Sequence, residues 1–173
     1  MGATLLTVAA FLVMEPVTYL LHRFVMHGPG VVWHRSHHAR RAGLLERNDL
    51  YPVVFASTTI AVMALGAFVE PVHVLLWIGL GVTLYGMAYL FVHDGYIHRR
   101  LPGLTARVGP LERLAEAHAL HHRFGAEPYG MLFPIVPSEL RRRSQRTDRP
   151  EAADLGARAP SPSPLSVGTE SGG

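Results

Sequence analysis

With 173 residues, 49% of them apolar, and a positive mean hydropathy of +0.19, the chain fits one membrane domain and is too short to add a separate reductase domain. The net charge of +3 comes from arginines that flank the apolar runs, which favours membrane flanks over nucleic-acid binding. The sequence contains no cysteine, and this excludes disulfides, cysteine-ligated iron–sulfur clusters, thiolate haem and cysteine-type zinc sites.

Three apolar stretches are long enough to cross, or nearly cross, a hydrocarbon layer of about 30 Å as α-helices. They comprise residues 4–21, 51–69 and 72–92. The second and third carry no charge and are separated only by Glu70 and Pro71, which predicts an antiparallel helical hairpin. Residues 131–136 are apolar but too short to span, and we expect them to dip into the interface or to line a substrate entrance.

The first stretch is interrupted by Glu15 and Pro16. An acidic side chain in the middle of a membrane helix costs about 2.5–3.5 kcal/mol on insertion scales. We therefore expect Glu15 to face the helical bundle and to be protonated or hydrogen-bonded there.

The distribution of arginine predicts the topology. Five arginines lie between residues 23 and 50, and five more lie between residues 93 and 123, whereas the hairpin turn has none. Because basic loops stay in the cytoplasm, both segments are expected on the cytoplasmic side of a bacterial inner membrane. Residues 1–147 are predicted to form the membrane-embedded domain, and residues 148–173, rich in Ala, Pro, Ser and Gly, a disordered tail.

Ten of the eleven histidines form four clusters, which come as two matching pairs of HxxxxH followed by HxxHH. The ten are His22, His27, His34, His37, His38, His93, His98, His118, His121 and His122. Neutral imidazole is the commonest protein ligand for transition metals, and ten such ligands are too many for one ion and suit two. The remaining histidine, His73, lies beside the hairpin turn and is interpreted as a loop residue.

On a helix, the three histidines of each HxxHH lie on one face. The offset of five residues in HxxxxH corresponds to about 140° on an ideal helix, so those two side chains are not expected to share a narrow stripe. Two explanations stay open: the two histidines serve different ions, or the second lies where the helix has ended. Gly28, Pro29 and Gly95 permit the second explanation.

All-nitrogen coordination suits iron, zinc, copper or nickel. The paired Glu-x-x-His motifs of soluble di-iron bundles are absent, and so is the HExxH motif of zinc proteases. A non-haem di-iron centre at the membrane surface explains the pattern best, since iron with O₂ and two electrons can oxidise an unactivated C–H bond. No flavin or nicotinamide fingerprint is present, so the electrons must come from a separate protein, and the basic face favours an acidic donor.

The segments HRFVMHG, WHRSHH, ERNDLYPVVFA, YLFVHDGYIH and AHALHH, with the spacing between them, resemble the bacterial β-carotene 3-hydroxylase family over residues 12–143. This family is part of the fatty acid hydroxylase and sterol desaturase superfamily. The resemblance implies an all-α integral membrane bundle of three to four spans with a cytoplasm-facing di-metal site. It also implies hydroxylation of β-ionone rings at C3, from β-carotene through β-cryptoxanthin to zeaxanthin. Two non-haem irons, O₂ and a ferredoxin-type donor follow from it, with the ten clustered histidines as the metal ligands.

Two departures from the family pattern stand out. Residues 123–133 read RFGAEPYGMLF, where many members carry a Gly- and Glu-containing stretch leading to Phe-Gly-Phe-Leu. The family is also often drawn with four spans, whereas three are evident here.

The alternative functions are a membrane fatty-acid or sterol hydroxylase or desaturase, a membrane metal transporter and a haem protein. Among the supporting residues, Asp94 has two interpretations, a helix cap or a carboxylate that orients a ligand imidazole. Asn48 and Asp49 precede the second apolar stretch, and capping of that helix is the favoured role.

Overall fold

The computed structural model describes residues 1–39, 45–100 and 102–147. Helices account for all the regular secondary structure of these residues. The predicted disordered tail, residues 148–173, lies outside the described residues, so its state stays a prediction. Contacts divide the chain into one unit of Met1–Pro137 and a second that begins at Ser138.

The described residues of the first unit form five α-helices, of which two continue into π-helical turns. They are α1 (Gly2–Leu20, followed by the π-helical turn Leu21–Met26), α2 (Val31–His38), α3 (Leu50–Phe68), α4 (Val74–Leu90, followed by the π-helical turn Phe91–Ile97) and α5 (Gly109–Phe124). Short 3₁₀ turns, Arg47–Asp49 and Glu70–Val72, precede α3 and α4. The second unit contains α6 (Ser138–Thr147), whose Arg142 pairs with Glu139 at 2.6 Å.

Three continuous helical segments are long and apolar enough to cross a membrane: Gly2–Met26, Arg47–Phe68 and Val74–Ile97. This confirms the three predicted spans and the hairpin between the second and third. The described residues contain no fourth helix of this kind. Each segment exposes large apolar side chains along its length, as expected for helices that face lipid.

The helix α4 packs against both α1 and α3. Its glycines allow the close approach: a Cβ atom at Gly81 would lie 2.3 Å from the Thr7 carbonyl oxygen of α1, and one at Gly79 would lie 2.2 Å from the Met63 side chain of α3. Small residues at such contacts are typical of membrane helices, where association depends on close packing. This arrangement brings the π-helical ends of α1 and α4 to the same end of the bundle as α2 and α5.

The remaining histidine, His73, immediately precedes α4 at the opposite end of the bundle. Its Nδ1–H donates a hydrogen bond of 3.0 Å to the Gly66 carbonyl. His73 lies in the turn that precedes α4, so its interpretation as a loop residue is confirmed.

Candidate metal centre

The two HxxxxH motifs lie at the two π-helical turns. In each, the backbone N–H of the second histidine donates to the carbonyl of the first, five residues earlier: His27 to His22 at 3.0 Å, and His98 to His93 at 2.9 Å. Because a π-helical turn stacks residue i+5 above residue i, both histidines face the same side. The ring centroids lie 5.2 Å apart in the first pair and 4.6 Å apart in the second.

The ten predicted residues converge on one region, and nine of them form two groups. Within each group, all the ligand atoms lie within 4.8 Å of one another. The first group is His22, His27, His34, His38 and His121; the second is His37, His93, His98 and His118. Each HxxxxH pair therefore belongs to a single group, which does not favour the explanation that assigned its two histidines to different ions. In each pair the second histidine directly follows the π-helical turn, as the other explanation required.

The HxxHH motifs are instead divided between the groups. On α2, His34 and His38 belong to the first group and His37 to the second; on α5, His118 belongs to the second and His121 to the first. The two helices thus hold the groups side by side. The tenth histidine, His122, lies between them, with its Nε2 atom 2.9 Å from Nε2 of His118.

In the first group, three imidazoles donate their Nδ1–H to neutral acceptors. His22 donates to the Tyr129 carbonyl at 3.0 Å and His121 to the Ala126 carbonyl at 2.6 Å. His34 donates to Asn48 Oδ1 at 2.8 Å. Since a carbonyl oxygen only accepts, these bonds fix the tautomer with the hydrogen on Nδ1 and a lone pair on Nε2.

In the second group, two imidazoles face carboxylates. His93 Nδ1–H donates to Asp94 Oδ1 at 2.9 Å, and His37 Nδ1–H to Glu46 Oε2 at 3.3 Å. A carboxylate behind a ligand histidine orients the ring and makes it more basic. Asp94 therefore orients an imidazole, which is one of its two predicted interpretations.

The Nε2 atoms turned inward lie close together. Nε2 of His22 is 3.1 Å from Nε2 of His34, although both nitrogens present lone pairs. Nε2 of His121 lies 3.1 Å from that of His27, and Nε2 of His37 is buried without a hydrogen-bond partner. Facing lone pairs at this distance repel each other unless a cation lies among them. The residues therefore fit a pair of metal ions bound through Nε2.

The imidazoles of α2 and α5 are ready to bind metal at neutral pH. Burial, reinforced by neighbouring histidines, lowers the pKa of His121 to about 3 and that of His122 to about 2. Burial also lowers the pKa of His34 to about 4, against the opposing effect of the hydrogen bond that His34 donates to Asn48. Because metals bind the neutral imidazole, no proton has to be displaced from these three rings at pH 7.

An ion-pair network adjoins the second group through Asp94, the carboxylate that accepts from His93. Arg100 donates two hydrogen bonds of 2.6 Å to the carboxylate of Asp49, and it lies 3.5 Å from Asp94. The hydrogen bonds to Asp49 raise the pKa of Arg100, so the guanidinium stays charged. Its charge keeps Asp94 in place beside His93.

The predicted capping is confirmed for Asp49, which forms a capping box with Glu46 at the start of the continuous helical segment Arg47–Phe68, and is wrong for Asn48, whose side chain caps no helix. Asn48 instead faces His34, and Asp49 accepts from the Glu46 N–H at 2.9 Å within the preceding 3₁₀ turn. Three further hydrogen-bond partners of the histidines, Glu46 and the carbonyls of Ala126 and Tyr129, were not predicted from the sequence. Of these partners, only Glu46 could have been noticed in the sequence, as an acidic residue that follows His34, His37 and His38 along the chain. A backbone carbonyl is present at every residue, so a sequence does not indicate which ones accept.

The structure confirms that Glu15 faces the bundle and is hydrogen-bonded. Tyr85 Oη donates to its Oε2 atom at 2.7 Å. Residues 131–133 donate their backbone N–H groups to the same carboxylate, so the apolar segment after α5 is attached to α1.

Comparison with known proteins gives a consistent picture. The fatty acid hydroxylase family model matches residues 7–137. A β-carotene hydroxylase of Pseudescherichia vulneris is 39% identical over 174 residues, covering 91% of this chain and 97% of its own. One from Paracoccus sp. (strain PC1) is 48% identical over 134 residues, covering 76% of this chain and 82% of its own.

Similarity extends to chloroplast proteins. The chloroplastic β-carotene 3-hydroxylase of Haematococcus lacustris is 39% identical over 146 residues, covering 80% of this chain and 45% of its own. No solved structure matches the chain. The matched residues 7–137 include all ten clustered histidines.

Proposed function

The chain belongs to the fatty acid hydroxylase family, and on that premise we propose that it hydroxylates carotenoids at C3 of the β-ionone ring. The overall reaction replaces a C–H hydrogen by OH, consumes one O₂, two electrons and two protons, and releases one water. The substrate series is β-carotene to β-cryptoxanthin to zeaxanthin. The names of the bacterial relatives, which match over most of this chain, support carotenoids as the substrate class.

The observation that carries the proposal is the convergence of Nε2 atoms in two adjacent histidine groups. All ten clustered histidines are proposed to bind two iron ions, with His122 between the groups. Such ions would supply the activation of O₂ that oxidation of an unactivated C–H bond requires. The protein residues supply neutral ligands of fixed tautomer, through the carbonyls and carboxylates behind them.

The position of the centre suits a substrate dissolved in the bilayer. His22 and His93 lie in the last turns of the spans Gly2–Met26 and Val74–Ile97, close to where these helices end. An apolar polyene can remain among the lipid-facing side chains while only its ring reaches the histidines. We propose that this end faces the cytoplasm of a bacterial inner membrane, because both arginine-rich segments adjoin it.

The electrons are proposed to come from a ferredoxin-type protein. Arg35, Arg107 and Arg113 are exposed on the segments that adjoin the histidines. A basic surface attracts an acidic donor and speeds its association at low salt.

The same histidines would serve a fatty-acid or sterol hydroxylase, so substrate class is the point to test. A bis-histidine haem fits poorly, because Nε2 atoms 3.1 Å apart leave no room for a porphyrin between the rings. A transporter is expected to carry ligands along its spans, whereas these histidines gather at one end.

Expression in bacteria that accumulate β-carotene tests the proposal. We expect β-cryptoxanthin and zeaxanthin in the pigment extract. Unchanged β-carotene, with the protein verified in the membrane and supplied with a ferredoxin-type donor, contradicts it. Hydroxylated fatty acids or sterols in the same cells would identify the alternative.

A further inference from the structure

The carboxylate of Glu15 binds three consecutive backbone N–H groups. Oε1 accepts from Met131 at 2.9 Å, from Leu132 at 3.1 Å and from Phe133 at 3.0 Å. Successive N–H groups that converge on one anion form a strong binding concavity. Because the Tyr85 hydroxyl donates a hydrogen bond to Oε2, the carboxylate links α1, α4 and the segment after α5.

Residues 131–133 need a hydrogen-bond acceptor within the protein because they lie beside a membrane-spanning helix. Glu15 precedes His22 by seven residues, which corresponds to about 10 Å along a helix, and belongs to the span Gly2–Met26. Phe133 and Ile135 expose 67% and 81% of their surface, as lipid-facing residues do. Non-helical backbone at membrane depth must find its hydrogen bonds within the protein, and Glu15 provides three of them.

Gly130 makes the close approach possible. A Cβ atom at this position would lie 2.9 Å from Oε1 of Glu15 and 3.4 Å from the Phe133 carbonyl oxygen. Any side chain there would push the carboxylate away from the N–H groups.

The same segment reaches the first histidine group. The Ala126 and Tyr129 carbonyls accept from Nδ1 of His121 and His22, and these bonds fix both tautomers. The Tyr129 ring lies 5.2 Å from the ring of His27. Residues 126–133 thus connect Glu15 to three members of one metal group.

We propose that Glu15 is a positioning residue for the first metal group: it anchors residues 130–133 so that the Tyr129 and Ala126 carbonyls hold His22 and His121 with Nε2 available to a metal. The inference rests on the proposed di-metal function. It predicts that loss of the Glu15 carboxyl group weakens one metal site and leaves the other unchanged.

The test is a Co²⁺ titration of the purified metal-free protein in detergent, followed by visible absorption. The wild type is expected to bind two equivalents. In Glu15→Gln, an amide N–H₂ group replaces one acceptor oxygen and faces the backbone N–H donors. We therefore expect one equivalent of Co²⁺ to bind about 10–100-fold more weakly, which is the usual cost of losing a residue that supports metal ligands without touching the metal. The second equivalent should keep its affinity, which a general loss of folding would not allow. The matched control is Glu70→Gln at the exposed hairpin turn, which should leave both affinities unchanged.

Two further measurements keep the inference testable if Glu15→Gln is not recovered in folded form. Gly130→Ala should weaken the same single equivalent. In the wild type, the amides of residues 131–133 should exchange hydrogen slowly although they lie outside any helix. Equal affinities in wild type and Glu15→Gln, or fast exchange of these amides, overturns the role of Glu15. Failure of the wild type to bind two equivalents instead contradicts the proposed function.

Discussion

The imidazole rings of His38 and His122 stack with their centroids 4.3 Å apart and their planes 21° apart, although one ring belongs to α2 and the other to α5. His38 is a member of the first group, and His122 contacts His118 of the second. The stacked pair therefore joins the two groups. Two ions bound there would be neighbours within one centre, as expected for a reaction that takes two electrons.

Loss of a single ligand should abolish turnover. His37→Ala removes the imidazole whose Nε2 is buried without a partner, and His121→Ala removes one that lies near both His27 and His38. We expect each variant to reach the membrane, to lose most of one metal equivalent and to give no hydroxylated carotenoid. Metal analysis and pigment chromatography check this, with His73→Ala as the control. Normal turnover in either variant would show that the site is misplaced.

Asp94→Asn should weaken metal binding without removing a ligand. The amide keeps the shape of the side chain but loses the charge that accepts from His93 Nδ1 and pairs with Arg100. The cost expected for such a partner is about 10–100-fold in affinity for one equivalent. A Co²⁺ titration measures it, and Glu139→Gln on the exposed helix α6 is the control. Affinity equal to that of the wild type would mean that Asp94 does not tune His93.

Hydropathy was sufficient to predict the three spans, because lipid imposes length and apolarity on a helix. The ten histidines could be predicted because their spacing repeats. How they share the two groups could not, because the ideal helical angle does not apply at a π-helical turn: His22 and His27 lie together where about 140° was expected. Most of the hydrogen-bond acceptors of the Nδ1 atoms could not be predicted either, because tertiary packing alone brings, for example, the Tyr129 carbonyl to His22.

The identity of the metal should decide activity. Zinc takes imidazole ligands as readily as iron does but has no redox chemistry. After removal of metal with a chelator, we expect Fe²⁺ to restore hydroxylation in the presence of O₂ and an electron donor. Zn²⁺ should bind to the same histidines and leave the protein inactive. Pigment analysis after each reconstitution checks this, and activity with zinc alone would exclude an oxidation that depends on iron.

The metal-free protein should lose stability as the pH falls below about 6.5. Burial lowers the pKa of His121 from the ordinary 6.5 to about 3 and that of His122 to about 2. Between pH 6.5 and about 3 the unfolded chain therefore binds protons that the folded chain does not, and stability rises with pH across this window. Above pH 7 both states are neutral at these rings, so no further gain is expected from them.

Thermal unfolding of the metal-free protein in detergent, followed by circular dichroism, measures this dependence. We expect a constant Tm from pH 8 to 7 and a decline from pH 6 to 4. His122→Gln removes one of the protonating groups and should make the decline shallower, whereas His73→Ala, at the other end of the bundle, should not. Bound metal holds the imidazoles neutral and should move the decline to lower pH. A Tm that stays constant from pH 7 to 4 would mean that these rings are solvated in the folded protein and are not gathered in a buried cluster.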